Sequence, residues 1–188
     1  MKKIILFIAA CSLLSCGGGG SNDSSDGSLR FINEEIGTYP NASVIKLYQQ
    51  ELNLCATSYS GITNVVEGRV QDERLTVTIP VPELSSPTSV PPLMIPEGFM
   101  ATRYLELHVF ASDPFVIGFK TENGDNCQLW YVNMNAEIKG TCTDSADSYT
   151  YDLELKKGWN FVSTSVRGGS PFASVPEGTR IERYGFRP

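Results

Sequence analysis

After Leu29, apolar and polar residues alternate along most of the chain with a period of two, the pattern of strands that bury one face. Leu75, Val77, Ile79 and Val81 alternate with Thr76, Thr78 and Pro80, and the pairing segment 63–70 lies across Gln71-Asp72-Glu73-Arg74, which predicts a hairpin. Within 102–111, Leu105, Leu107, Val109 and Ala111 share one face, and Tyr104, Glu106, His108 and Phe110 share the other. Tyr149, Tyr151, Leu153 and Leu155 oppose Thr150, Asp152 and Glu154 in the same way, and 159–165 is predicted as the partner strand. Lys156-Lys157-Gly158 would then be a three-residue loop with Gly158 in the left-handed region.

Shorter signals complete the set. Residues 29–32 suit a first edge strand, 115–122 a strand ended by the turn Asn123-Gly124-Asp125-Asn126, and 180–186 a closing strand. Segments 127–133 and 137–143 predict another hairpin. Residues 41–55 fit helical spacing (Val44, Leu47, Tyr48, Glu51, Leu52, Cys55) but also a strand at 44–48 followed by one at 52–57, and the strands agree better with their surroundings. Pro82, Pro87, Pro91, Pro92 and Pro96 exclude helix and central strand between 82 and 96, and the segment is expected to cross between two sheets. The expected fold is all-β: a single antiparallel β-sandwich, immunoglobulin-like or transthyretin-like, over residues 29–188, with room for one short helix.

The first 28 residues break the pattern. Lys2 and Lys3 precede an apolar run from Ile4 to Leu14, which has the charge and length of a signal peptide and is too short for a transmembrane helix of about 20 residues. Leu13-Leu14-Ser15-Cys16 resembles the lipobox of bacterial lipoproteins over residues 1–16; Ile8-Ala9-Ala10-Cys11 is a second such string with a shorter apolar run before it. The resemblance implies cleavage before Cys16, a diacylglyceryl group on its sulfur and an acylated amine. Each buried methylene of an acyl chain contributes about 0.8 kcal/mol, so several chains hold firmly where one does not. With Gly17 rather than Asp after the cysteine, the resemblance also implies the outer membrane of a double-membraned bacterium. Residues 16–28 are expected to be a lipid-anchored tether, because the Gly/Ser-rich string after Cys16 has nothing to bury. Asp23 and Asp26 lack the ligand ladder of a calcium loop.

Removing residues 1–15 takes away Lys2 and Lys3 and leaves 13 Lys+Arg against 21 Asp+Glu, a net charge of −8. That acidity argues against nucleic acid as a partner. An exported chain can keep disulfides, and the hairpin over 127–143 would place Cys127 opposite Cys142. Opposite residues lie about 4.5–5.5 Å apart at Cα, within reach of a bridge that adds about 3 kcal/mol. Cys55 is the alternative partner for either. No Cys-x-x-Cys spacing exists and His108 is the sole histidine, so no metal site and no cofactor is expected.

Little chemistry is marked out. There is no Gly-x-Ser-x-Gly elbow, no His-Glu-x-x-His and no phosphate-cradling loop, and Gly168-Gly169-Ser170-Pro171 reads as a turn. The expected role is a non-enzymatic, lipid-anchored envelope lipoprotein, in contact with the membrane through its acyl chains and displaying a β-sandwich for binding or structure. A carbohydrate-binding module using exposed Trp130, Tyr131 and Trp159 is the first alternative, since rings can stack on a glycan or a protein ligand. A small hydrolase built around His108 is the second.

Overall fold

The computed structural model describes residues 22–23, 27–52, 54–55, 61–87, 93–143, 148–164 and 172–186. Residues 1–21, with the signal peptide, Cys11, Cys16 and the glycine run, lie outside the described residues, as do 168–171. Thirteen strands form and, among the described residues, no helix. They are β1 (Asn22–Asp23), β2 (Leu29–Glu35), β3 (Val44–Glu51), β4 (Gly61–Gln71), β5 (Arg74–Ile79), β6 (Ala101–Phe110), β7 (Phe115–Thr121), β8 (Asn126–Val132), β9 (Ala136–Thr143), β10 (Ser148–Leu155), β11 (Gly158–Thr164), β12 (Phe172–Ser174) and β13 (Ile181–Phe186). They join in one mixed, mostly antiparallel, sandwich-like sheet in which, among the described residues, β10 with β12 is the only parallel pair.

The long strand β4 turns the sheet back on itself. Its first half pairs with β3 and its second half with β5, so β2 and β5 fold over the strands that follow. Leu29 and Phe31 of β2 and Leu75, Val77 and Ile79 of β5 meet Ile45, Leu47, Leu107, Val109, Ile117 and Phe119 from β3, β6 and β7 in a first core. The β4–β5 turn is the expected one, with Asp72 and Glu73 both at positive φ (51° and 64°), as a two-residue hairpin turn requires. Its backbone is held from outside: Asp72 N–H donates to Asn41 Oδ1, and Ile36 N–H to Glu73 O.

A second core lies on the other side of β8. Cys127 and Leu129 point into the first core and Trp130 and Val132 into the second, where Ala136, Ile138, Leu153, Leu155 and Val162 meet them. The proline-rich connection enters here, contributing Leu93 and Phe99 on its way from β5 to β6.

Two bulges decide which side chains face where. On β6, Glu106 lies opposite Tyr48 but Tyr104 lies opposite Gln49, so Leu105 is an extra residue. The extra residue flips the phase. Tyr104 therefore joins Leu107 and Val109 in the first core, not Glu106 and His108 as regular alternation predicts. On β2 the register shifts between Phe31 and Glu34, with Asn33 at φ 55°. That shift turns Glu34 towards the end of the first core.

Four expectations need correction. Segments 127–133 and 137–143 are not a hairpin: β8 pairs with β11 and with parts of β6 and β7, while β9 pairs with β10. Residues 149–155 and 159–165 are likewise not partners, for β12 stands between β10 and β11. In both places a short connection carries the chain across the second core instead of back along the same layer. The Cys127–Cys142 bridge fails for the same reason. Cys127 is a free thiol in the first core, and Cys142 bonds Cys55, which follows β3, with 5.6 Å between Cα atoms. Part of the stretch 16–28, expected to bury nothing, is built into the fold. β1 pairs with β2, and the Trp159 indole, buried enough to need an acceptor, donates to Gly27 O at 2.8 Å. Residues 44–51 are strand, as the surrounding pattern favoured, but the expected strand over 52–57 does not form among the described residues: Leu52 is buried outside any strand and Leu54-Cys55 is a turn, while 53, 56 and 57 lie outside the described residues.

Candidate binding face

The strands that close the first core have a back face, and the second core covers only part of it. Beyond the Leu105 bulge the back face is open. It carries Val44, Lys46 and Tyr48 of β3, Val65 of β4, Glu106, His108 and Phe110 of β6, and Tyr184 and Phe186 of β13. The register aligns them in rows. Val65 is opposite Lys46, Lys46 opposite His108, His108 opposite Val116, and Val116 opposite Phe186, a straight row over five strands.

The rings lie along the sheet. Tyr184 sits directly over Gly118: a Cβ there would meet the tyrosine ring at 2.9 Å, so glycine is what lets the ring lie down. Its hydroxyl donates to Asn126 Oδ1 at 3.2 Å, and its ring stacks on Phe186 at 5.7 Å. Burial pushes the Tyr184 phenol above its ordinary range, and the nearby Glu106 carboxylate and Cys127 add to the shift. On the neighbouring strands Tyr48 and His108 lie 5.8 Å apart, and Lys46 Nζ stands 4.5 Å over the Phe110 ring. Lys120 pairs with Glu182 at 3.4 Å, and His108 Nε2 lies 2.9 Å from Glu106 Oε1. Phe110 is nevertheless 45% exposed and Val65 71% exposed.

Of the residues picked from the sequence, His108 is on this face beside Glu106, the neighbour that the alternation placed with it. Trp130 is not a stacking residue. It is fully buried in the second core, with its indole donating to Gln128 Oε1, because even-numbered positions of β8 face that core. Tyr131 and Trp159 are half-buried neighbours whose rings cross at 72°, and Trp159 also packs on Tyr104. They close the lower end of the first core and offer no flat platform. Tyr48, Phe110 and Phe186 were not singled out by the sequence. The signal was present in β3, where Val44 and Tyr48 make the supposedly polar phase apolar too.

Among the described residues, no group of three or more His, Cys, Asp or Glu could hold a metal ion. No protein-family model, curated protein or solved structure matches the chain.

Proposed function

We propose that the chain is an envelope lipoprotein, held by acyl chains on Cys16, that presents the open ring-bearing face of β3, β6, β7 and β13 to a protein ligand. The observation that carries this reading is the exposed apolar face itself: Val44 lies opposite Phe110 and Val65 stands on the next strand, at 42%, 45% and 71% exposure, and an uncovered apolar patch of this kind marks an interaction surface.

A protein suits the face better than a glycan, because Val44 and Val65 are as exposed as the rings, and branched aliphatics belong to protein interfaces. His108 lies on an open sheet face beside the exposed Phe110, whereas catalytic sites are concave, so binding fits the face better than hydrolysis around His108. A hydrolytic activity lost in His108→Ala would overturn the non-enzymatic reading. Globomycin, which blocks the lipoprotein peptidase, tests the anchor: unprocessed precursor accumulates in treated cells, and undisturbed processing would defeat the proposal.

A further inference from the structure

Strand β13 pairs with β7 alone, so one of its edges is free among the described residues. The hydrogen bond Glu122 N–H to Arg180 O, in the same register as the β7–β13 pairs, fixes the phase of the ladder. In an antiparallel pair, bonded and non-bonded positions alternate. Glu182, Tyr184 and Phe186 therefore bond to β7, while the N–H and C=O groups of Ile181, Arg183 and Gly185 point to the free edge. The Arg183 side chain agrees: its Nη1 donates to Ile181 O at 3.1 Å, from that edge.

The edge opens onto a depression of about 690 Å³, lined by Arg183, Tyr184 and Gly185 on one side and by residues 35–39 on the other. Tyr39 lies so close against Gly185 that a Cβ there would collide with its ring, and it stacks on Phe115. Arg183 is held down by Glu34 Oε2 at 2.9 Å and by the Phe31 ring. Its side chain is only 4% exposed, yet Nε has no hydrogen-bond partner. An orphaned buried N–H beside unpaired strand backbone is costly unless something accepts from it.

We propose that the free edge of β13 takes up an extended peptide segment of a partner protein as an added antiparallel strand. The partner's main chain would exchange hydrogen bonds with Arg183 and Gly185. One set of its side chains would fall over Tyr39 and Ile36, with a hydroxyl or carbonyl accepting from Arg183 Nε, and the other set would continue the face beside Tyr184 and Phe186. Such pairing is a general mode of peptide recognition, in which main-chain bonds supply affinity and alternate side chains supply selectivity. A lone strand fits the depression, whereas a second folded copy would bring its whole sheet against residues 35–39. This inference deepens the binding reading above, and the choice of a protein partner rests on it.

The test is residue-resolved amide exchange on the full chain in detergent micelles. The probe is an acetylated, amidated peptide of alternating threonine and valine flanked by lysines, alongside the same peptide N-methylated at alternate residues. In the free protein the amides of Arg183 and Gly185 exchange fast and those of Glu182, Tyr184 and Phe186 slowly. The plain peptide slows Arg183 and Gly185 at least tenfold, and the N-methylated one does not. If the plain peptide leaves both rates unchanged, strand addition is wrong. If the N-methylated peptide protects equally well, binding runs through side chains: strand addition falls and the binding reading survives. Protection of Arg183 and Gly185 without peptide also overturns the inference, assigning the edge to a second copy if it grows with protein concentration and to the chain itself if it does not.

Discussion

The back face of the first-core strands has two halves with opposite fates. Below the Leu105 bulge, Trp130, Val132, Val162 and Ala101 are sealed under β9 and β10. Above it, Val44, Val65 and Phe110 stand in water on the same sheet. Exposure alone does not call for such residues. The outer face of β9 and β10 is also solvated, and it carries Glu137, Lys139, Thr141, Thr150, Asp152 and Glu154, with Lys139 among three carboxylates and the two threonines bonded to each other. The chain thus has an ordinary polar sheet surface and, elsewhere, an apolar one. The apolar half is chemically a half-core lacking its cover, which is why a partner is the economical reading of it.

The strongest way to break the comparison is to damage the cover. Trp130→Ala removes the largest fully buried side chain of the second core. It should cost about 3–5 kcal/mol in urea denaturation, as large-to-small core changes do. A loss of a few tenths would mean the second core does not seal its half. The Cys55–Cys142 bond is the next lever, since it ties the turn after β3 to β9 across 87 residues. Replacing both cysteines by alanine should cost about 2–4 kcal/mol. It should speed amide exchange in β9 and β10 before β3 and β6; the reverse order would show that the bridge supports the first core instead.

Period-two alternation made the strands legible but not their partners. The hairpins expected at 127–143 and 149–165 rested on neighbours in sequence being neighbours in the sheet. At each place the strands before and after present apolar residues to the same space, Trp130 and Val132 towards Ala136 and Ile138, so they close across a core instead of side by side. Asparagines make those corners. Asn133 accepts from Met100 N–H and donates to Gly98 O, while Asn160 accepts from Lys156 N–H and donates to Lys156 O. Nothing in periodicity separates such a corner from a hairpin loop. The bulge at Leu105 was equally hidden, because the extra residue is apolar like its neighbours. The ring-bearing face was half legible. Its phase on β6 could be read from His108 and Phe110, but its extent depended on knowing that β13 lies beside β7.

A smaller effect sharpens the contrast across β8 itself. Cys127 lies on the first-core side, three residues from Trp130. Burial pushes its thiol up to about 11 from 9.0, with Asp125 adding to the shift and a backbone hydrogen bond at Thr121 opposing it. The folded state therefore holds the proton more tightly than the unfolded one. The stabilisation is complete below pH 9 and is lost as pH rises through 11, about 2–3 kcal/mol in all. Tyr104, raised by burial as well, adds to the alkaline loss, so the quantity to compare is the slope of stability against pH for the parent and for Cys127→Ala. The variant should be the flatter of the two between pH 9 and 11; equal slopes would mean the thiol is not buried as described.

The smallest expected effect is the one on which the contrast most depends. Phe110→Asp and Val65→Asp place a charge on the open half. Neither side chain packs in a core, and the main interaction that Phe110→Asp removes is the one between Lys46 and the Phe110 ring. Exposed cation–ring pairs contribute about 0.5–1 kcal/mol, and part of this returns as the introduced carboxylate attracts Lys46. Both variants should therefore unfold within about 0.5 kcal/mol of the parent, the usual range for surface changes. Aspartate on the covered half, as in Val162→Asp, should instead unfold the chain, since an unpaired buried carboxylate has no compensating partner there. If Phe110→Asp proves as damaging as Val162→Asp, the open half is covered in the protein as it exists. If it is silent in folding but abolishes capture of the partner, the two halves differ in the way their residues say: one built to be closed by this chain, the other by another.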